Sequence, residues 1–532
     1  MMRATVRIHL VLLLGGCPAA LVAQTASTGT IEGRIVDSAG AAVGLAAVRV
    51  DRADRGFVRD AVSDGQGRFR IGFLVPGEFR VSVRRIGYRE VVLERVGVEA
   101  GSVTRLSIRL DPVARTLDSL VSTAPAVTID RDGTEFGTAI GARELRRLPL
   151  PNEARDLVRF ANGARPDQVW GGATAQANNY QLDGVAVNHP GIGGDLLQPS
   201  VTWIEEVQVR GLGAGAEHGN FQGGIVNIVT RSGQNRREGA VRFAAETHRL
   251  NASNLVPGEA GSEVSDRLEF DGQLLGPLVR DRLFYALFGQ VVRRDVRVLD
   301  QFPDAVGDFV AAPPRERQGR FLGKLTWVPT NRDNLSLSVA RFDTRVDRFG
   351  QTGFKRAEAT QRLDAGSWLG TLAWQRTWSA RSFLEVKVSG YDGHDDRLPH
   401  RTSDVPALQV LNQVDPLEYQ NAVFSERRAP RTAALSATWD RYARFLGGDH
   451  HLKVGFELAG SSWGFHRSRN GGLTWRPGLR TSAPAFDPAD PSTWLFNGAL
   501  ASTWGGEIAL DAKTDVGAVF LQDQFRIGSR LT

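Results

Sequence analysis

Residues 206–219 read EVQVRGLGAGAEHG, and Gly211, Gly213 and Ala216 fall in the G-x-G-x-x-A spacing that can cradle a dinucleotide pyrophosphate. That chemistry needs a helix directly after the glycines, because the phosphate rests on free N–H groups at a helix N-terminus. The chain instead continues Asn220-Phe221-Gln222-Gly223-Gly224 and then Ile225-Val226-Asn227-Ile228-Val229-Thr230. Paired glycines disfavour a helix and the β-branched run favours a strand. The nucleotide reading is set aside, and the glycines need another purpose.

Other chemistry is equally poorly supplied. The nine histidines are scattered, with no H-E-x-x-H metal pair and no nucleophile elbow. Cys17 is the only cysteine, so thiolate metal sites, disulfides and a cysteine nucleophile are not expected beyond it. Asp392-Gly393-His394-Asp395-Asp396 is an acidic cluster in an expected outer loop, where a solvated loop is favoured over a cation contact. No paired carboxylates or triad stand out. The chain reads as a non-enzyme without metal or cofactor. Its 65 basic residues against 59 acidic ones leave a formal charge of +6, spread over pairs such as Arg84-Arg85 and Arg427-Arg428. A nucleic-acid groove would gather them into one stripe, so no nucleic-acid partner is expected.

The elements that would carry any function come in zones. Arg3 and Arg7 precede the apolar run Ile8–Leu14, and small residues follow to Ala23, as in a secretory signal peptide over residues 1–23. Leu14-Gly15-Gly16-Cys17 leaves lipoprotein processing at Cys17 as the alternative. Residues 28–112 alternate with period 2 between Gly, Asp and Pro turns, which predicts a small antiparallel β-sandwich. Residues 113–123 form an extended link. Residues 124–238 mix short helix signals at 142–147 and 153–160 with strands at 178–185 and 203–210, an α+β zone.

From residue 239 onward, alternating strands dominate. In Leu452-Lys453-Val454-Gly455-Phe456-Glu457-Leu458-Ala459 the apolar residues share one face. Tight turns are expected near 276–281, 329–333, 379–381, 446–449 and 528–530, and long polar connections at 294–318, 343–366, 392–431 and 461–514. Short turns at one end and long loops at the other describe an outer-membrane β-barrel. Trp327, Trp368, Trp374, Trp378, Trp439 and Trp463 sit where an aromatic girdle would place them. A large soluble all-β domain with these tryptophans in its core is the alternative.

Residues 28–112 resemble the carboxypeptidase-regulatory-like domain, a transthyretin-like sandwich, at Gly33-Arg34-Ile35-Val36-Asp37, Asp64-Gly65-Gln66-Gly67-Arg68-Phe69 and Pro76-Gly77-Glu78-Phe79-Arg80-Val81. No histidine lies there to hold a peptidase zinc, so a binding or spacing module is expected. The whole chain resembles a TonB-dependent outer-membrane receptor of the Oar-like or SusC-like type. The plug motifs carrying the resemblance are Leu182-Asp183-Gly184-Val185, Glu206 with its neighbours Glu205 and Val207, and Gly219, Gly223, Gly224, Asn227 and Thr230. The barrel opening Leu275-Gly276-Pro277-Leu278 adds to it.

The resemblance implies a mainly β chain: sandwich, α+β plug at 124–238, then the N-terminal part of a transmembrane β-barrel from 239 to 532. It implies active uptake of a bulky substrate whose class stays open among siderophore, glycan and peptide. It also implies TonB with its ExbB/ExbD energy complex, outer-membrane lipid and an extracellular substrate as partners, and an N-terminal domain in the periplasm. Thr116, Leu117, Asp118, Ser119, Leu120, Val121, Ser122 and Thr123 occupy the place of the TonB box, which adds to TonB as a strand. A surface adhesin, a secretion component or a non-transporting fragment are the alternatives. About ten strands are legible against about 22 in such a transporter, so a fragment or truncated product is expected, unable to insert or transport alone.

Overall fold

A computed structural model describes most of residues 27–526; residues 1–26, 113–121, 126–136, 251–263, 297–313, 411–416, 477–489 and 527–532, with several shorter stretches, lie outside the description. The expected leader and the expected turn at 528–530 fall on those residues.

Strand-formers at period 2 build the N-terminal sandwich. One sheet runs Arg68–Leu74, Gly29–Asp37, Val103–Leu110; the other runs Phe57–Val62, Ala47–Arg52, Gly77–Arg84, Val91–Val98, Ser122–Pro125. Val48, Val50, Val81 and Val83 from one sheet meet Ile31, Ile35, Phe69 and Ile108 from the other in a single buried cluster. The sandwich is not wholly antiparallel as the alternation suggested. Gly29–Asp37 lies parallel to Val103–Leu110, with Ile31 opposite Thr104 and Ile35 opposite Ile108, because the chain visits the second sheet before its last strand returns. Ser122–Pro125 is also parallel to its neighbour, with Val92 opposite Thr123.

The plug is a five-stranded sheet in the order Val185–Ala186, Asn179–Leu182, Ile225–Thr230, Ile204–Arg210, Gly137–Gly141. The expected helices are present as one α-turn, Ala142–Leu145, and a 3-10 segment, Ala154–Phe160. Every residue of Ile225–Thr230 is buried. No helix follows the glycine loop, in keeping with the sequence argument against a nucleotide.

The third body is a ten-stranded antiparallel sheet in sequential order: Glu238–Thr247, Val264–Val279, Leu283–Val296, Arg315–Thr330, Asp333–Phe349, Gln361–Ser379, Ser382–Pro399, Phe424–Phe445, Gly448–Arg469 and Ile508–Arg526. Alternation sorts the faces: Phe321, Leu325 and Trp327 are exposed outside, while Leu322 and Lys324 are buried inside. Large apolar side chains facing outward in this number suit a wall bathed in lipid. Among the described residues no helix is long and apolar enough to cross a membrane.

Several strands reach farther than their apolar runs. Phe424–Phe445 and Gly448–Arg469 are 22 residues each. Their outer halves were expected as loop, since polar strand residues beyond a lipid boundary carry no apolar signal. The Asp392–Asp396 cluster is thereby corrected from loop to strand, within Ser382–Pro399. There Asp395 pairs with Arg397 at 2.8 Å and Asp392 with Arg431 at 2.9 Å. Trp463 is also corrected: it leaves the girdle and faces inward, edge-on to plug residue His189 at 5.7 Å.

Candidate functional site

The site begins at a hairpin turn in the plug. Leu182 pairs with Val185, so Asp183 and Gly184 alone make the bend, both at positive φ (50° and 74°). Asp and Gly are the residues that tolerate such a turn. The bend aims the Asp183 carboxylate at the adjoining strand. It accepts the Thr230 N–H at 2.9 Å and the Thr230 hydroxyl at 2.7 Å. Lys324 of the wall completes the cluster, 2.9 Å from Asp183 and donating to Thr230 Oγ1 at 2.6 Å. Both charged side chains are nearly excluded from water. Lys387, on another wall strand, donates to the Gly184 carbonyl at 3.3 Å.

From the turn a polar chain crosses the plug. Gly184 N–H donates to Asn227 Oδ1 at 3.0 Å, and Asn227 Nδ2 donates to Gln208 Oε1 at 3.3 Å. Gln208 Nε2 donates to Glu206 Oε1 at 2.5 Å. Glu206 accepts the N–H of Ala100, in the sandwich, at 3.0 Å, while Arg210 donates to the Ala100 carbonyl at 2.7 Å. Burial pushes the Glu206 carboxyl up to about 7: Glu99 adds to the rise, while the Ala100 N–H, Gln208 and Arg210 resist it. One network therefore touches wall, plug and sandwich.

The glycine-rich stretch makes a second seam. Asn179 Nδ2 donates to the Gly219 carbonyl at 3.0 Å, and Gly223 N–H to the Ala177 carbonyl at 3.0 Å. At Gly224 a side chain has no room, because a Cβ would lie 2.5 Å from Val169 and 2.9 Å from the Arg210 carbonyl. The loop also reaches the wall: Ala216 N–H donates to Gln522 at 2.9 Å, and Glu217 pairs with Lys453 at 2.5 Å. Burial works against the Glu217 charge, yet Lys453 and His218 outweigh it and hold the carboxyl at about 2. Burial, with the nearby Arg210, Lys453 and Lys387, brings His218 down to about 4 against the pull of Glu217, leaving it neutral at pH 7. An apolar contact accompanies these ties: plug residue Trp203 is fully buried 5.6 Å from Phe288 of the wall, its indole N–H on Asp271 at 2.9 Å.

The structure thus gathers Leu182, Asp183, Gly184, Val185, Glu206, Asn227 and Thr230 into one sheet and one network, with Gly219, Gly223 and Gly224 on its flank. Of the TonB-box candidate, Thr116–Val121 lie outside the described residues, and Ser122 and Thr123 open the strand on the sandwich edge. Sequence reasoning missed Glu217, Lys324, Lys387 and Lys453. A signal existed: only five lysines occur among 65 basic residues, at 324, 355, 387, 453 and 513, and three of them hold the plug. No cluster of metal-binding side chains occurs among the described residues. The arrangement is suited to holding and releasing a domain by charge and hydrogen bonding.

A model of the carboxypeptidase regulatory-like domain matches residues 30–111. The TonB-dependent transporter Oar of Myxococcus xanthus is 24% identical over 54% of this chain and 31% of its own length. A probable TonB-dependent siderophore receptor, PirA of Acinetobacter baumannii, is 24% identical over 38% of this chain and 29% of its own. The chain thus spans less than a third of the length of these relatives. Among solved structures, the outer membrane transporter YddB of Escherichia coli superposes with a TM-score of 0.50, at 14% identity, over 73% of this chain and 54% of that one. Both sequence relatives are named for transport or reception, and neither for catalysis. With a carboxypeptidase regulatory-like match at residues 30–111, and a plug and wall behind it, the chain is similar in sequence to TonB-dependent transporters and receptors.

Proposed function

We propose that the chain acts in TonB-dependent uptake of a bulky substrate across the outer membrane. The observation that carries this reading is the clamped plug: a separate sheet seated against an outward-apolar wall and held there by Asp183–Lys324 and Glu217–Lys453. A domain tied by a few buried ionic contacts, not by covalent links, can be displaced by a directed pull. Short turns would face the periplasm and long loops the outside. The sandwich, whose Asp64 meets Arg381 at a short turn, then lies in the periplasm with the TonB segment at 116–123. TonB, energised through ExbB/ExbD, would take that segment as an added strand and draw on the plug.

The long-loop end supports a role in substrate capture. Its connections form a sheet of their own, Leu417–Tyr419, Ala407–Val410, Thr474–Arg476 and Leu500–Ser502. The plug loop at His189 packs against Trp463, on the wall strand that leads into this sheet. The test is accumulation of labelled probes (ferric chelates, cobalamin, oligosaccharides, peptides) in cells with and without this chain and with and without TonB. Accumulation of one probe class only when both are present is expected. Accumulation that ignores TonB, or none for any class, would contradict the reading.

A further inference from the structure

A cavity of about 360 Å³ lies where sandwich, plug and wall meet. Gln234 from the plug and Ser338 and Gln375 from the wall line it above, and Val58, Arg70 and Phe73 of the sandwich line it below. The plug and wall lining mixes hydroxyls and carboxamides with the charges of Asp183, Lys324 and Lys387 and with the apolar Phe284, Val328 and Ala373, and its polar part gives water or a hydrated solute enough partners to enter. The Gln234 carboxamide is buried with neither its oxygen nor its nitrogen hydrogen-bonded to the protein, so it is offered to the cavity.

The sandwich seats on the rim of this space through contacts of a separable kind. Arg70 reaches out of the sandwich and is 1% exposed, its guanidinium 5.3 Å from the ring centres of both Phe383 and Tyr442 of the wall. Its nitrogens make no hydrogen bond, and its nearest carboxylate, Glu32 of its own domain, is 3.6 Å away. Phe73 packs on Phe383 at 5.2 Å with its own backbone at a φ of 60°, a strained value for so bulky a residue. Arg381 donates to Asp64 at 2.8 Å and Gln66 at 2.6 Å. Two rings and Glu32 hold the Arg70 cation, and with Phe73 on Phe383 and the Arg381 ties they make a small, partly polar seat of the kind that separates as a unit.

We propose that the N-terminal sandwich is a lid that closes a passage between plug and wall at the short-turn end, and that it must undock for that passage to open. Its purpose rests on the transport reading; its test does not. The chain of bonds from Ala100 through Glu206 and Asn227 to Gly184 ties the lid to the plug turn that Lys324 clamps, so movement of the plug loosens the lid.

The test is the rate at which a bulky, water-soluble maleimide labels Ser338→Cys in outer-membrane fragments, corrected for label on the parent chain. Ile86→Cys, at 95% exposure on the sandwich, sets the rate of an open site. Ser338→Cys should label at least about tenfold more slowly than Ile86→Cys, as expected of a site reached only by local opening. Adding Arg70→Ala and Arg381→Ala should close most of that gap. Gly56→Cys with Asn235→Cys gives a lock, because a Cβ at Gly56 would lie 3.3 Å from that of Asn235, close to the disulfide span of roughly 3.5–4.5 Å; the φ of 62° at Gly56 adds backbone strain to the variant but leaves that distance in place. Oxidised, it should restore slow labelling to the loosened variant, which also shows that the variant is folded. Labelling of Ser338→Cys as fast as Ile86→Cys in the intact chain, or a rate indifferent to loosening and locking alike, would overturn the lid. Failed uptake with slow, lock-sensitive labelling would sink the transport reading and leave the closure standing.

Discussion

Asp183 and Lys324 show what single side chains do here. Each is nearly buried, and each has the other as its charge partner, with Thr230 filling the remaining hydrogen bonds. Removing one member leaves the other charge without its partner in a nearly buried site beside the cavity, which costs up to about 3–5 kcal/mol. Lys324→Met and Asp183→Asn, the latter keeping a side chain that accepts the turn's positive φ, should therefore each destabilise the plug by up to that order, and the double variant by clearly less than the sum. Denaturant unfolding followed by Trp203 emission checks this, and strict additivity would mean that the pair is not coupled.

Glu206 adds a pH dependence. Its folded value of about 7 lies above the ordinary 4.5, so its stabilising contribution is full below about 4.5 and lost as pH rises through about 7. Thermal stability of the sandwich–plug contact should fall between pH 5 and pH 8, and Glu206→Gln should flatten that slope. An unchanged slope in the variant would place the titration elsewhere.

At the scale of elements, alternation and turn residues made the sandwich, the plug strands and the wall legible. Leu182-Asp183-Gly184-Val185 could be read as strand–turn–strand because Asp-Gly accepts the positive φ at both bend positions. The upper halves of the wall strands were not legible, because Glu426, Arg428 and Arg467 form ion pairs on the inner face where no apolar period marks them. The lysine clamp escaped notice because each lysine looks alone like an ordinary polar-face residue; only the turn opposite reveals its job. The parallel closure of the sandwich needed long-range pairing that no local pattern encodes. The glycine stretch offers a sharp contrast. Gly224→Ala should cost about 1–3 kcal/mol, since its Cβ would meet Val169 and the Arg210 carbonyl. Gly219→Ala, with open space around its Cβ, should stay within about 0.5 kcal/mol. Equal costs in thermal melts would mean that the close approach at Gly224 is not what that glycine serves.

At the scale of the molecule, three bodies share one polar network, and plug and wall share one apolar cluster in which Trp203 and Val207 pack with Phe288 and Leu322. Transport requires the ten-stranded sheet to be a membrane wall that keeps its inner face for the plug. Nitroxide labels placed singly at 321 through 327, read by electron paramagnetic resonance in outer-membrane vesicles, test that most directly. Oxygen contact should be high at 321, 323, 325 and 327 and low at 322, 324 and 326, matching the exposed outer face of Phe321, Leu325 and Trp327 and the buried Leu322 and Lys324. No period of two, or outer positions that favour a water-soluble relaxant over oxygen, would contradict the membrane wall and the transport reading with it.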